Sequence, residues 1–261
     1  MICRLSVLGV IFSLFFGCSS PQQHELKVAA STTPHAEILA FIKEDLKAQG
    51  IDLKIITIDD YNIPNRSLAE KEIDANYFQH EQFLSNQIAQ FHYCLVPLAK
   101  VQIEPMGLYS KKETSLSALC KGNTVAIPND PTNESRALRL LEKEGLITLS
   151  QKASSLATIR NIEKNPKELE ILEIDAALLP RTLRDVHVAA IPTNYALQAG
   201  LSPEKDALAK EDASSPYVNI LVVRCGDESR ADLILLKQAL NSDKVRQYIV
   251  EHFQGALIPA F

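Results

Sequence analysis

Residues 26–58 read LKVAASTTPHAEILAFIKEDLKAQGIDLKIITI and contain one complete strand–helix–strand unit. The apolar run 26–31 has strand character, Pro34 opens a helix that continues over 36–49, and Gly50 ends it. Leu53, Ile55, Ile56 and Ile58 supply the next strand. Two apolar strands joined through a helix imply a parallel sheet with crossover helices, and so an α/β protein. Ligands of such sheets bind beyond the carboxyl ends of the strands. The loop that follows, DDYNIPN over 59–65, is therefore of interest, and Tyr61 is its one aromatic residue.

Downstream, a short helix from about Ser67 leads to IDANYF (73–78) and then to QHEQF (79–83), the start of another helix. Phe78, His80 and Phe83 could project from one strand end and the next helical turn into a common space, although core and cap roles fit the same spacing. A strand over 93–99 precedes VQIEPMGLYS (101–110), an extended stretch in which Pro105 and Gly107 suit a bent crossover out of a first lobe. In AIPNDPTNESRALR (126–139), a strand closed by Pro128 runs through a turn at Pro131 into a helix capped by Thr132 or Asn133, with Arg136 in the first turn. Free N–H groups at a helix start, with a guanidinium able to grip both oxygens of a carboxylate, make an anion-binding constellation.

Further strands are expected over 169–174 and 186–191, and a helix over 194–198. Ser202 and Pro203 read as another helix start. YVNILVVR (217–224) is a strand able to return to the first lobe, and helices near 229–240 and 243–253 finish the chain. A lobe entered and left by two extended crossovers is the layout of a two-lobed periplasmic solute-binding protein, which closes by hinge motion. The expected division is a leader over 1–17, a first lobe over 18–108 and 222–261, and a second lobe over 109–221.

The chain has 261 residues, 46% hydrophobic and 23% charged, with a net charge of -5. That balance, with no basic stripe, argues against nucleic-acid binding, which needs clustered Lys and Arg. Arg4 precedes an apolar run over 5–16, too short for a bilayer span of roughly 20 residues, so the segment reads as a signal peptide. It ends in LFFGC, resembling a bacterial lipobox with Cys18 as the lipid-modified residue that anchors the protein to a membrane. Cys94, Cys120 and Cys225 remain. One disulfide plus a free thiol is possible, but Cys94 and Cys225 lie in apolar strand-like runs, so core packing is the expectation.

At this point the residues carry a resemblance. YNIPN (61–65), IDANYFQH (73–80), EPMGLYSKK (104–112), AIPNDPTNESRAL (126–138), LLPRTL (178–183), NYALQAGL (194–201), KDALA (205–209), SSPYVN (214–219) and the terminal Ala260-Phe261 resemble, in order, the NlpA/MetQ family of methionine-binding lipoproteins. The resemblance implies a lipid-anchored receptor, facing the periplasm or cell exterior, that hands methionine or a related amino acid to an ATP-driven permease, without cofactor or catalysis. It implies that Arg136 binds the ligand carboxylate, that Asn194 and Asn219 bind head-group atoms with their oxygens able to accept from the ammonium, and that Tyr61, Phe78, His80 and Phe83 form the side-chain pocket. An aromatic wall suits a thioether through sulfur–aromatic contacts. The chain departs from the family pattern at Phe83, where relatives can carry Tyr, and at Ala190–Thr193 before Asn194.

Other functions fit less well. His35, His80, His92, Glu37 and Glu81 show no convincing metal-ligand spacing. Ser202 and Lys205 match a Ser-x-x-Lys pattern without its companion motifs, and His92 and Cys94 have no third group to orient them. A receptor of the same fold for another small ligand, such as a derivative, short peptide or metal ion, is the alternative, as is a surface interaction module that has lost transport.

Overall fold

The computed structural model describes residues 24–151 and 156–261; the leader and Cys18 lie outside the described residues. The chain begins as the sequence implies. Strand β1 (His24–Ala30), helix α1 (Glu37–Ala48) and strand β2 (Ile51–Thr57) form a parallel unit in register from His24↔Ile51 to Ala30↔Thr57. Helix α1 buries Ile38, Leu39, Ile42 and Leu46, a stripe at helical spacing, and its chain reverses at Gly50, whose φ of 84° is open to glycine without strain. Helix α2 (Pro64–Ala69) starts on a proline, and leads to β3 (Ala75–His80), all six of whose residues are buried. Helix α3 (Glu81–Phe91) and β4 (Leu95–Ile103) complete this part of the chain.

The chain then passes into the second lobe through 104–106. There β5 (Gly107–Tyr109), β6 (Thr124–Pro128), α4 (Pro131–Lys143), the short antiparallel pair β7 (Thr148–Leu149) and β8 (Ile162–Lys164), β9 (Glu170–Ile174), α5 (Leu179–Thr182), β10 (Val188–Ile191), α6 (Thr193–Gln198) and β11 (Ala207–Lys210) follow. At Gly107 the Tyr109 ring lies 2.7 Å from where a Cβ would stand, so a side chain here would have to displace that buried ring. The return runs through 211–217 to β12 (Val218–Arg224), then α7 (Ala231–Leu240), α8 (Asp243–Phe253) and β13 (Ile258–Pro259).

Two mixed sheets result. The first has the order β13-β4-β12-β3-β1-β2 and the second β11-β5-β10-β6-β9. Each has three parallel strands, β2-β1-β3 and β10-β6-β9, extended by antiparallel ones. The sheets change hands at 104–106 and 211–217, so β5 belongs to the second sheet from Gly107 and β12 to the first from Val218. Each lobe has its own core. Leu26 and Val28 pack with α1, α7 and α8 residues such as Leu236 and Ile249, whereas Val125 and Ile127 pack with Leu138, Leu141 and Val188. Among the described residues no helix is long and apolar enough to cross a membrane.

Three local expectations are corrected. Cys94 and Cys225 are a disulfide, not buried thiols: antiparallel pairing of β4 with β12 ends at Leu95↔Arg224, which sets the next residues opposite each other with Cα atoms 5.4 Å apart. That separation is ordinary for the bond. Cys120 is exposed and unpaired with another cysteine. Asp130, not Thr132 or Asn133, caps α4 by accepting from the Asn133 N–H at 3.0 Å, and Pro131 takes the first helical position. Arg136 therefore sits in the second turn. Ser202 and Pro203 open a single turn, closed by Asp206 N–H to the Ser202 carbonyl at 2.8 Å, that does not continue as a helix.

Candidate functional site

The carboxyl ends of the parallel strands of both sheets face one another, and the turns leaving them supply the site. Tyr61 comes from the loop after β2, Phe78 and His80 from the end of β3, and Phe83 from the first turn of α3. From the other side come Arg136 on α4 and Asn194 on α6. Asn219 arrives at the start of β12. All seven residues line one cavity, so the structure brings together every ligand-binding residue that the sequence proposed. Gln79, Glu104, Asn133, Pro192 and Thr193 complete the lining and were not proposed.

One end is aromatic. Tyr61, Phe78 and Phe83 stand with ring centroids 5.7–5.9 Å apart, tilted or edge-on, and Tyr195 lies 5.0 Å behind Tyr61. These are favourable aromatic geometries. Burial holds the Tyr61 phenol well above its ordinary pKa, so it is a neutral hydroxyl. It donates to Asn194 Oδ1 at 2.6 Å across the cleft.

His80 also bridges the lobes. Its Nδ1 accepts from the Phe83 N–H at 3.1 Å, capping α3, which leaves Nε2 to donate to Asn133 Oδ1 at 3.2 Å. Burial, and then the Arg136 charge, lower this histidine to about 3, so the ring is neutral with its proton on Nε2. Tyr195 adds a third bridge, donating to the Asp59 carbonyl at 2.7 Å. The cleft is thus closed over, with the lobes joined by hydrogen bonds on several sides.

The polar end is organised by atoms that are already engaged. Arg136, 4% exposed, donates from Nε and Nη2 to the two oxygens of Glu211 at 2.8 and 2.6 Å, and from Nη2 to the Glu104 carbonyl at 2.5 Å. Its guanidinium lies 4.4 Å above the Tyr217 ring. Burial works against its charge, but the Glu211 carboxylate outweighs that and raises the pKa, so Arg136 is a cation. The fork expected to grip a ligand carboxylate is therefore taken by Glu211, and Nη1 is the nitrogen that these bonds leave over.

The asparagines are similarly committed. Asn194 gives its oxygen to Tyr61, and its buried Nδ2 has no partner among the described residues. Asn219 gives its oxygen to His35 Nε2 at 3.1 Å. Both amides consequently offer N–H donors, not the acceptors expected for an ammonium. The acceptor is Glu104, 4% exposed, at the start of the outgoing crossover. Its carboxylate is held 3.1 Å from His35 Nε2 and accepts from Gln102 Nε2 at 2.9 Å. His35 is fully buried, braced by Ser31 at Nδ1 and stacked edge-on with Tyr77, and burial, against the pull of Glu104, lowers its pKa. Glu104 lay within the quoted motif EPMGLYSKK. A buried acid one residue before a crossover proline is the signal that could have found it. Among the described residues there is no group of three or more His, Cys, Asp or Glu able to hold a metal ion.

Two α/β lobes, two crossovers and one cavity at their junction, with donors at one end and aromatic rings at the other, define a bilobal solute-binding protein. Comparison with known proteins gives the family. Residues 26–261 match the model of the NlpA lipoprotein family, and the chain belongs to it. Outer membrane lipoprotein 3 of Mannheimia haemolytica is 40% identical over 98% of each chain. The methionine-binding lipoprotein MetQ of Bacillus subtilis is 38% identical over 97% of each. Among solved structures, a nutrient-binding protein from Burkholderia cenocepacia bound to methionine superposes with a TM-score of 0.88 at 41% identity, covering 90% of this chain and all of that one.

Proposed function

We infer that this protein is a membrane-anchored receptor that captures methionine between its lobes and delivers it to an ABC importer, docking on the permease that the ATPase subunit drives. The observation that carries this reading is the division of one closed cavity into a zwitterion end and an aromatic end. Arg136 Nη1 and the side-chain N–H groups of Asn194 and Asn219 are donors for the α-carboxylate, and Glu104 is the counter-charge for the α-ammonium. Unpaired, the buried Asn194 Nδ2 would cost about 1–3 kcal/mol, a debt that a bound carboxylate removes. Tyr61, Phe78 and Phe83 receive the side chain, with sulfur–aromatic contacts of roughly 0.3–1.5 kcal/mol favouring a thioether over a plain alkyl chain. Closure follows binding because Arg136 and Asn194 belong to one lobe and Glu104, Phe78 and Phe83 to the other or to the hinge, so only the closed form satisfies both ends. The reading is of binding without turnover. Cys18 supplies the lipid anchor, and the folded lobes sit outside the membrane in the periplasm or at the cell exterior.

The test is calorimetric titration of the refolded, ligand-stripped protein with L-methionine, D-methionine, norleucine, leucine and charged amino acids. Tight methionine binding is expected, with norleucine about 2- to 10-fold weaker, as the sulfur contacts dictate. Heat from a charged amino acid and none from methionine would overturn the assignment.

A further inference from the structure

Glu211 stands on the returning crossover, between β11 and β12, and is absent from the cavity lining. It borders instead a recess behind Arg136, beside Leu140, Lys143 and Tyr217. Its carboxylate is 11% exposed and fully engaged: Oε1 accepts from Arg136 Nε, while Oε2 accepts from Arg136 Nη2, from the Met106 N–H at 3.0 Å and from Ser215 Oγ at 3.2 Å. The Glu211 N–H in turn donates to the Met106 carbonyl at 3.0 Å. One side chain therefore ties the guanidinium to both crossovers, since Met106 lies on the outgoing one. An arginine in a fork–fork pair has its plane and its free edge fixed, whereas a lone arginine side chain has several rotamers to lose.

We propose that Glu211 is a positioning residue for ligand recognition: by holding the Nε–Nη2 edge of Arg136 it sets Nη1 toward the cleft, and makes the grip on the ligand carboxylate depend on the hinge. Glu211 stays in place when ligand enters, because its backbone and Ser215 contacts anchor it behind the cavity. The ligand carboxylate then meets one arginine nitrogen and two asparagine amides, not a bidentate fork. The hinge reads occupancy through the same side chain, which touches no ligand atom.

The proposal rests on the methionine reading, and its test separates the two. Binding of L-methionine and of L-methioninamide, in which a neutral amide replaces the carboxylate, is measured for wild type, Glu211→Ala and Glu211→Gln. The preference for methionine over methioninamide is expected to fall by about tenfold or more in both variants, the scale of one charge-assisted hydrogen bond, with methioninamide affinity nearly unchanged. If both ligands weaken by the same factor and the preference survives, Glu211 is only a brace of the crossover and the proposal fails. A ligand-free cycle decides the pairing on its own, even if wild type binds neither compound and the methionine reading falls. Glu211→Ala and Arg136→Ala each leave a buried charge alone, so the double variant should melt no lower than the worse single one. Melting losses that simply add would overturn the proposal.

Discussion

Asn194→Asp changes one nitrogen to an oxygen and has a sign that depends on what Asn194 does. Its oxygen accepts from the Tyr61 hydroxyl and its buried Nδ2 has no partner among the described residues, so the amide presents a donor to the cavity. In the variant that donor becomes an anion facing the ligand carboxylate. The lost hydrogen bond to a charged group is worth about 1.5–3 kcal/mol. Two carboxylates about 4 Å apart at an effective dielectric near 20 repel by about 4 kcal/mol. Arg136 offsets part of that repulsion, and the new carboxyl can take up a proton, which leaves a net loss of at least about 3 kcal/mol, or two orders of magnitude in Kd. Calorimetry with L-methionine at pH 7.5 should show the loss, and repeating it at pH 5 should recover part, since protonation restores a donor. With the amide reversed, oxygen toward the ammonium, the same substitution would tighten binding. A Kd that falls, or stays within about threefold of wild type, refutes the donor assignment and with it the division of labour between Asn194 and Glu104.

Three further outcomes follow from the same geometry. Arg136→Ala leaves the Glu211 carboxylate buried without its partner, which typically costs about 3–5 kcal/mol of stability, and removes one charge-assisted hydrogen bond to the ligand, worth about 1.5–3 kcal/mol, so methionine should bind about ten- to a hundredfold more weakly; a loss under about threefold excludes the carboxylate role. His80 binds its proton at about 3 when folded and near 6.5 when unfolded, so the stability it contributes is complete above pH 6.5 and lost as pH falls toward 3. That amounts to roughly 2–3 kcal/mol by pH 4.5, and urea unfolding should show a smaller acid loss in His80→Gln; equal acid losses would contradict the neutral-ring assignment. The Cys94–Cys225 bond closes a separation of 131 residues, worth about 5 kcal/mol in the loop-entropy limit, so Cys94→Ala/Cys225→Ala should melt several degrees lower with methionine affinity unchanged; coincident melts refute it.

The architecture was legible wherever a local pattern and its partner lay close in the chain. Strand 26–31, Gly50 and the next strand announced β1-α1-β2. Expectations slipped where two local devices compete for one position. Asp130, Thr132 and Asn133 are all good caps, and only the proline at 131 decides, because its fixed φ and missing N–H place it at the first helical position and make its predecessor the cap. The cysteines slipped for a different reason. Residues 94 and 225 meet only through the β4–β12 pairing, and apolar surroundings looked the same whether the thiols were packed or bonded.

The site divides along the same line, and the division explains why residue types were legible while atomic roles were not. All seven residues that the family resemblance implied line the cavity, whereas the local pattern by itself pointed only to Arg136 at a helix start and to a space shared by Phe78, His80 and Phe83. Which atom of each residue is left over for a ligand depends on partners 75, 133 and 184 positions away, where Glu211 holds Arg136, Tyr61 holds Asn194 and His35 holds Asn219. Each partner consumes one function of a two-function group and so fixes the other: an acceptor used leaves a donor, and one edge of a guanidinium used leaves its far nitrogen. Polarity in the cleft is thus assigned by elimination from outside it. In the proposed reading, with both asparagines turned into donors, the ammonium falls to a carboxylate, and Glu104 is the buried acid that lines the same wall. It is also the residue whose own position, on the outgoing crossover beside the Arg136 Nη2 contact, ties recognition of the ammonium to the hinge that Glu211 grips from the returning side.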